Sequence, residues 1–225
     1  MSVGFCGHMG SLAAVRRLFA DPPVTLDWEK VMFLVTGFEP FTTGEGLVLD
    51  HNPTAEMALR LADEHVDVVG AVLPVSFAQT RQALTSLWET HQPERWIGLG
   101  FAPHRRRVDV ETVALNVEHA VRGDNAGERP TDRAIIEGAP LAYRTRVDTG
   151  FAADLFVQYG VEAGPGFHAG TFLCNQTFYL GCHRVEMGSS LRSALFIHVP
   201  PMEDYAPFSA ALQALVTALA EGGID

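Results

Sequence analysis

Cysteine is scarce in this chain: three residues, Cys6, Cys174 and Cys182, among 225. Three thiols make a poor disulfide framework for a chain of this size, and an odd number leaves at least one free. That usage fits a reducing compartment, and the expected location is the cytoplasm. Positive charge is also short, with 16 Lys and Arg against 27 Asp and Glu and a formal net charge of −11. Nucleic acid is therefore excluded as the main partner, because phosphate binding needs clustered cations. The one basic run, Arg105-Arg106-Arg107, reads as a solvated turn. No stretch approaches the ~18 unbroken apolar residues of a membrane helix. The apolar start of the chain is interrupted by Gly4, Gly7 and Gly10 and has no basic residues ahead of it, so no signal peptide is expected. The nine histidines include no H-E-x-x-H or comparable spacing, and no metal is expected.

What is present is a globular composition, 47% hydrophobic and 19% charged, enough for one domain with a substantial core. From Val31 onward short apolar runs alternate with segments of helical period. Strands are expected at 31–36, 66–73, 95–99, 108–115 and 195–199. Helices are expected at 54–64, behind Asn52-Pro53 as cap and first-turn proline, and at 77–90, 151–159 and 208–221. A further helix within 170–187 begins close to Cys174, and 122–140 reads as mostly loop. Strands separated by helices imply an α/β fold: a single three-layer α/β/α domain on a mostly parallel twisted sheet, spanning 31–225. Residues 1–30 fall outside the alternation. They read as an N-terminal extension, either an extra short helix over Leu12–Phe19 or an extended start.

In such sheets reactive groups gather beyond the carboxyl ends of the strands, which points to the loops after Thr36, Leu99 and Val199. Three residues have suitable chemistry. Cys174 sits at a glycine-led helix start, where the macrodipole favours a thiolate and backbone N–H groups can bind an oxyanion. His198 ends the apolar strand LFIHV, a good place for a general base. Glu111 interrupts VDVETVAL, and a carboxylate there can orient the histidine. Each also has a plain structural reading: a small core thiol, a satisfied strand-end imidazole, a solvent-facing carboxylate.

Several motifs occur together and in order: VTGFEPFTTG at 35–44, Asn52-Pro53, GFAPHR at 100–105, ETVALN at 111–116, DNAG at 124–127, AGTFLCN at 169–175 and FIHVP at 196–200. In these the chain resembles the pyroglutamyl peptidase I (pyrrolidone-carboxylate peptidase) family. The resemblance implies a Cys174–His198–Glu111 triad, with the thiol as nucleophile, the imidazole as base and acid, and the carboxylate orienting it. The implied activity is removal of an N-terminal pyroglutamyl residue from an N-terminally blocked peptide through a thioester, without a cofactor. Phe38, Phe41, Phe172 and Leu173 would then form part of the substrate pocket, and the protein would be a homo-oligomer, a tetramer in this family. The chain departs from the family pattern at Phe101, where Gln is usual, at Phe167-His168, in the first loop at Thr42-Thr43, and at Arg122, where a hydrophobic residue is expected. These departures motivate a second reading, a cysteine amidase of the same fold with a different acyl group. A non-catalytic relative is the third.

Overall fold

In a computed structural model of the chain, residues 32–42, 46 and 49–222 are described. The expectations for residues 1–30, including Cys6, lie outside them, as does Thr43 in the first loop.

A six-stranded sheet runs in the order β2-β1-β3-β8-β4-β7. Its strands are β1 (Phe33–Phe38), β2 (Val68–Leu73), β3 (Arg95–Phe101), β4 (Val108–Glu111), β7 (Ala163–Gly166) and β8 (Ser193–Val199). The pairs β1–β2, β1–β3, β3–β8 and β4–β7 are parallel, and β4–β8 is antiparallel. Side chains alternate cleanly along the central strands. Phe33, Val35, Ile97, Leu99, Leu195 and Ile197 face one apolar layer with helices α1 (Pro53–Glu64), α3 (Thr149–Gln158) and α5 (Ala206–Ala220). Leu34, Trp96, Ala194 and Phe196 face the other, with α2 (Phe77–His91) and α4 (Leu173–Glu186). Strands buried on both faces explain why their sequences read as continuous apolar runs.

The expected single strand over 108–115 is two. The chain turns at Thr112, whose N–H donates to Gly166 O, and continues as β5 (Val113–Leu115), which pairs with β6 (Ala142–Arg144) in a separate ribbon. Apolar alternation carries through the bend, so period alone cannot reveal it. β6 and β7 were not anticipated. β7 reads AGPG, a glycine- and proline-rich edge strand with no β-propensity to signal it.

Local chemistry fixes the helix starts. Asn52 caps α1 through Thr54 N–H, Ser76 caps α2 through Gln79 N–H, and Asp148 caps α3 through Gly150 and Phe151 N–H. α4 has no side-chain cap at Phe172. Gly37 is required at the end of β1, because a Cβ there would lie 2.1 Å from Thr54 O of α1.

Candidate active site

The DNAG segment holds the walls of the site together. Asp124 Oδ1 accepts from Ala126 and Glu128 N–H, and its Oδ2 accepts from Phe77 N–H at the start of α2. Asn125 donates through its backbone to Val75 O and through Nδ2 to Glu39 Oε1 and Pro40 O. Gly127 closes the turn at φ +84°, a conformation costly for any residue with a Cβ. The loop after β1 is tied in turn to α1, since Asn52 Nδ2 donates to Glu39 O. Phe172 packs edge-on against Phe77 at 5.1 Å.

α4 is fixed at its start by side chains that follow the thiol. Asn175 donates to Leu115 O and Val117 O and accepts from Leu115 N–H. Gln176 donates to Phe77 O and to the buried Glu118, which also takes Arg81 and Arg133. Gly170, at φ +81°, gives the chain the left-handed turn that leads into this helix. Cys174 is thereby set in the first turn, with the N–H groups of Leu173, Cys174 and Asn175 left without a backbone acceptor in the helix. The thiol lies against the sheet at Gly100, where a Cβ would come within 2.9 Å of Sγ. No larger residue fits at that strand position.

Gly100 pairs in register with His198, the neighbouring residue on β8. His198 and Phe196 share the α4 face of the sheet, their rings edge-on at 5.1 Å. On the antiparallel neighbour β4, Glu111 stands diagonally across, and its Oε1 lies 2.7 Å from His198 Nδ1. Glu111 is fully buried, and Arg105 Nη2 reaches the same oxygen at 2.8 Å while a second nitrogen pairs with Asp109. A Cβ on Gly166 would sit 2.4 Å from Glu111 Oε2, so the AGPG strand is bare where the carboxylate needs room. The Glu111 bond engages Nδ1 and leaves Nε2 as the other ring nitrogen. Among the described residues, the Cys174 sulfur makes no side-chain hydrogen bond, an open arrangement common before substrate binds.

The basic run is a solvated turn only in part. Arg106 and Arg107 are exposed, although Arg107 Nε pairs with Asp109, and Arg105 is partly buried and turns inward to Asp109 and Glu111. The signal that could have found this was the VDVE alternation, which puts Asp109 and Glu111 on one face of one strand.

Burial governs the ionisation of the pair. It pushes the Cys174 thiol up to about 12, with the Glu111 charge adding and Arg105 opposing. It pulls His198 below the ordinary imidazole value, although its hydrogen bond to Glu111 acts the other way. A helix N-terminus offers at most ~2 kcal/mol, and here burial outweighs it. Both shifts favour the neutral thiol and the neutral imidazole, against the direction expected from the helix start alone. Inactivation by iodoacetamide should accordingly keep accelerating, by about tenfold per pH unit, through pH 9. A plateau below pH 7 in the measured rates would show a thiolate already in place. Cys182 lies in the apolar layer under α4, and burial raises it as well, which makes it a core residue.

Beside the thiol opens a cavity of about 420 Å³ whose walls include Phe38, Phe41, Val75, Phe172 and Leu173. All four residues expected in the substrate pocket therefore border it. It lies beyond the carboxyl ends of β1 and β3, two of the three places expected; the loop after Val199 does not reach it. Phe101 and Arg122 line it too, whereas Phe167 is 72% exposed and not in its wall. Among the described residues no three His, Cys, Asp or Glu cluster to hold a metal, and no helix is long and apolar enough to cross a membrane.

A thiol at a helix start, an imidazole on the adjoining strand and a buried carboxylate behind it are the arrangement of a cysteine hydrolase. The pyroglutamyl peptidase family profile matches residues 30–217. The pyrrolidone-carboxylate peptidase of Pseudomonas fluorescens is 36% identical over 195 residues, 83% of this chain and 88% of that protein. The enzyme of the same name from Thermococcus kodakarensis is 35% identical over 169 residues, 74% and 80% of the two chains. Among solved structures, the pyrrolidone carboxyl peptidase of Thermococcus litoralis superimposes with a TM-score of 0.78 at 30% identity, covering 86% of this chain and 96% of its own. The chain belongs to the pyroglutamyl peptidase family, a family of cysteine peptidases.

Proposed function

We propose that this chain is an exopeptidase that removes N-terminal pyroglutamyl residues from peptides, with Cys174 as nucleophile, His198 as general base and acid, and Glu111 orienting His198. The observation that carries the reading is the 2.7 Å Glu111–His198 bond, on the sheet face where Cys174 opens α4 beside an aromatic cavity. In the first step the Sγ proton passes to His198 Nε2 as sulfur bonds to the scissile carbonyl carbon. The free N–H groups of the first turn of α4 face the oxyanion so formed. His198 then returns the proton to the leaving amine as the C–N bond breaks, which leaves a thioester. Water, deprotonated by the same imidazole, releases pyroglutamate and restores the thiol.

The ring is small, flat and neutral, and Phe38, Phe41, Phe172 and Leu173 give it apolar walls. No cofactor enters the scheme. The protein works on N-terminally blocked peptides, and by family resemblance it is a homotetramer in the cytoplasm, an assembly that light scattering can check. Release of aminomethylcoumarin from its pyroglutamyl amide tests the activity. Turnover is expected with that substrate, and its absence, with turnover of another N-acyl amide instead, would favour an amidase of different acyl specificity.

A further inference from the structure

Arg122 is a charged side chain of the cavity wall that the proposed chemistry leaves unused. Its side chain is half-buried in the wall shared by the cavity at Cys174 and a second hollow of about 370 Å³ beside Asp124 and Asn125. Among the described residues it makes no hydrogen bond or ion pair, and burial is the sole influence on its ionisation. The nearest acid in sequence does not serve it, because both oxygens of Asp124 are spent on backbone N–H groups. A partly desolvated guanidinium on the cavity wall, with no protein partner, is a donor that a ligand can use.

The other polar side chains of the wall are already engaged. Asn52 caps α1 and donates to Glu39 O, and Thr171 Oγ1 donates to His119 O. His119 is held through Nδ1 by Asp132 at 2.9 Å. His104 is exposed at the rim, and Phe101 has no polar group. Arg122 is the half-buried side-chain donor that remains.

Resting on the pyroglutamyl reading above, we propose that Arg122 determines acyl specificity: its guanidinium donates to the lactam carbonyl and its charge repels N-termini that retain a protonated amine. A site built to hydrogen-bond a substrate group rejects the analogue lacking that group, because its own polar atoms are then left unpaired. A fixed positive charge adds repulsion, the second half of discrimination. One residue thus distinguishes a cyclised N-terminus from prolyl, which has the same ring size, no ring carbonyl and a cationic nitrogen.

The test compares wild type, Arg122→Met and Arg122→Lys on three coumarin amides: pyroglutamyl, cyclopentanecarbonyl and prolyl. In the Met variant kcat/KM for pyroglutamyl should fall about 10- to 100-fold, the worth of a charge-assisted hydrogen bond. Turnover of the cyclopentanecarbonyl amide should hold and that of the prolyl amide should rise, and these activities report an intact Cys174 site. The Lys variant should still exclude prolyl while losing part of the pyroglutamyl rate. A Met variant whose pyroglutamyl-to-cyclopentanecarbonyl ratio stays within about threefold of wild type would overturn the assignment and leave the activity standing. A wild type that turns over none of the three amides would remove the pyroglutamyl reading, and this inference with it. A wild type that prefers an N-glutaryl amide would show that Arg122 pairs with a carboxylate instead.

Discussion

Cys174→Ala is expected to lower kcat on a pyroglutamyl-coumarin amide by about 10⁵-fold, the scale seen when the nucleophile of a catalytic unit is removed. The fold should survive the change. Sγ bonds to no side chain, the helix start is fixed by Asn175 and Gln176, and alanine fits wherever cysteine does. Stability should therefore change by no more than about 1 kcal/mol, readable as a small shift in thermal midpoint. The pairing of lost turnover with retained stability is the informative result. If turnover persisted within about tenfold of wild type, some other group would have to attack the carbonyl, and among the described residues nothing else on this face is a comparable nucleophile. Cys182 is enclosed in the apolar layer beneath α4, too far into the core to meet a substrate. Intact mass after brief exposure to substrate gives a second reading, since only a chain with the thiol can carry the acyl group.

Much of this arrangement was legible in the sequence, for identifiable reasons. The strands at 33–38, 95–101 and 193–199 are apolar runs because both faces of each are covered, and α1 announces itself through Asn52 and Pro53. Cys174 and His198 could be singled out as reactive side chains at a helix start and a strand end, and Glu111 as a carboxylate interrupting an apolar strand. Less visible was what depends on non-local pairing. The reversal of β4 against β8 places Glu111 diagonal to His198, and no local period records it. Gly100 and Gly166 look like ordinary glycines until the atoms they make room for, the Cys174 sulfur and the Glu111 carboxylate, are in place. Arg105 looked solvated because its acidic partners, four and six residues on, face inward from a strand. The direction of the Cys174 ionisation was also misread. A helix start is a local feature, whereas desolvation of the thiol by its packing against the sheet is a tertiary one, and the latter is the larger influence.

Arg105 and Glu111 act on His198 with opposite sign, and that makes the second large effect specific. Glu111→Gln should reduce kcat by about 10³- to 10⁴-fold, because an amide can no longer hold the imidazole in the tautomer that offers Nε2 to the thiol or stabilise the imidazolium formed during attack. The pH dependence should move as well. His198 must be neutral to accept the Cys174 proton, so the acid limb of kcat/KM follows its ionisation. Burial and Arg105 lower that ionisation while Glu111 raises it. Loss of Glu111 should therefore carry the acid limb of the residual activity to lower pH. Arg105→Met removes the opposing charge and should carry the limb to higher pH, with a smaller loss of kcat because Glu111 keeps its bond to Nδ1. Shifts of the same sign in both variants would mean that the limb reports some group other than His198. Together the two profiles separate a carboxylate that orients and stabilises the base from one that merely fills space behind it.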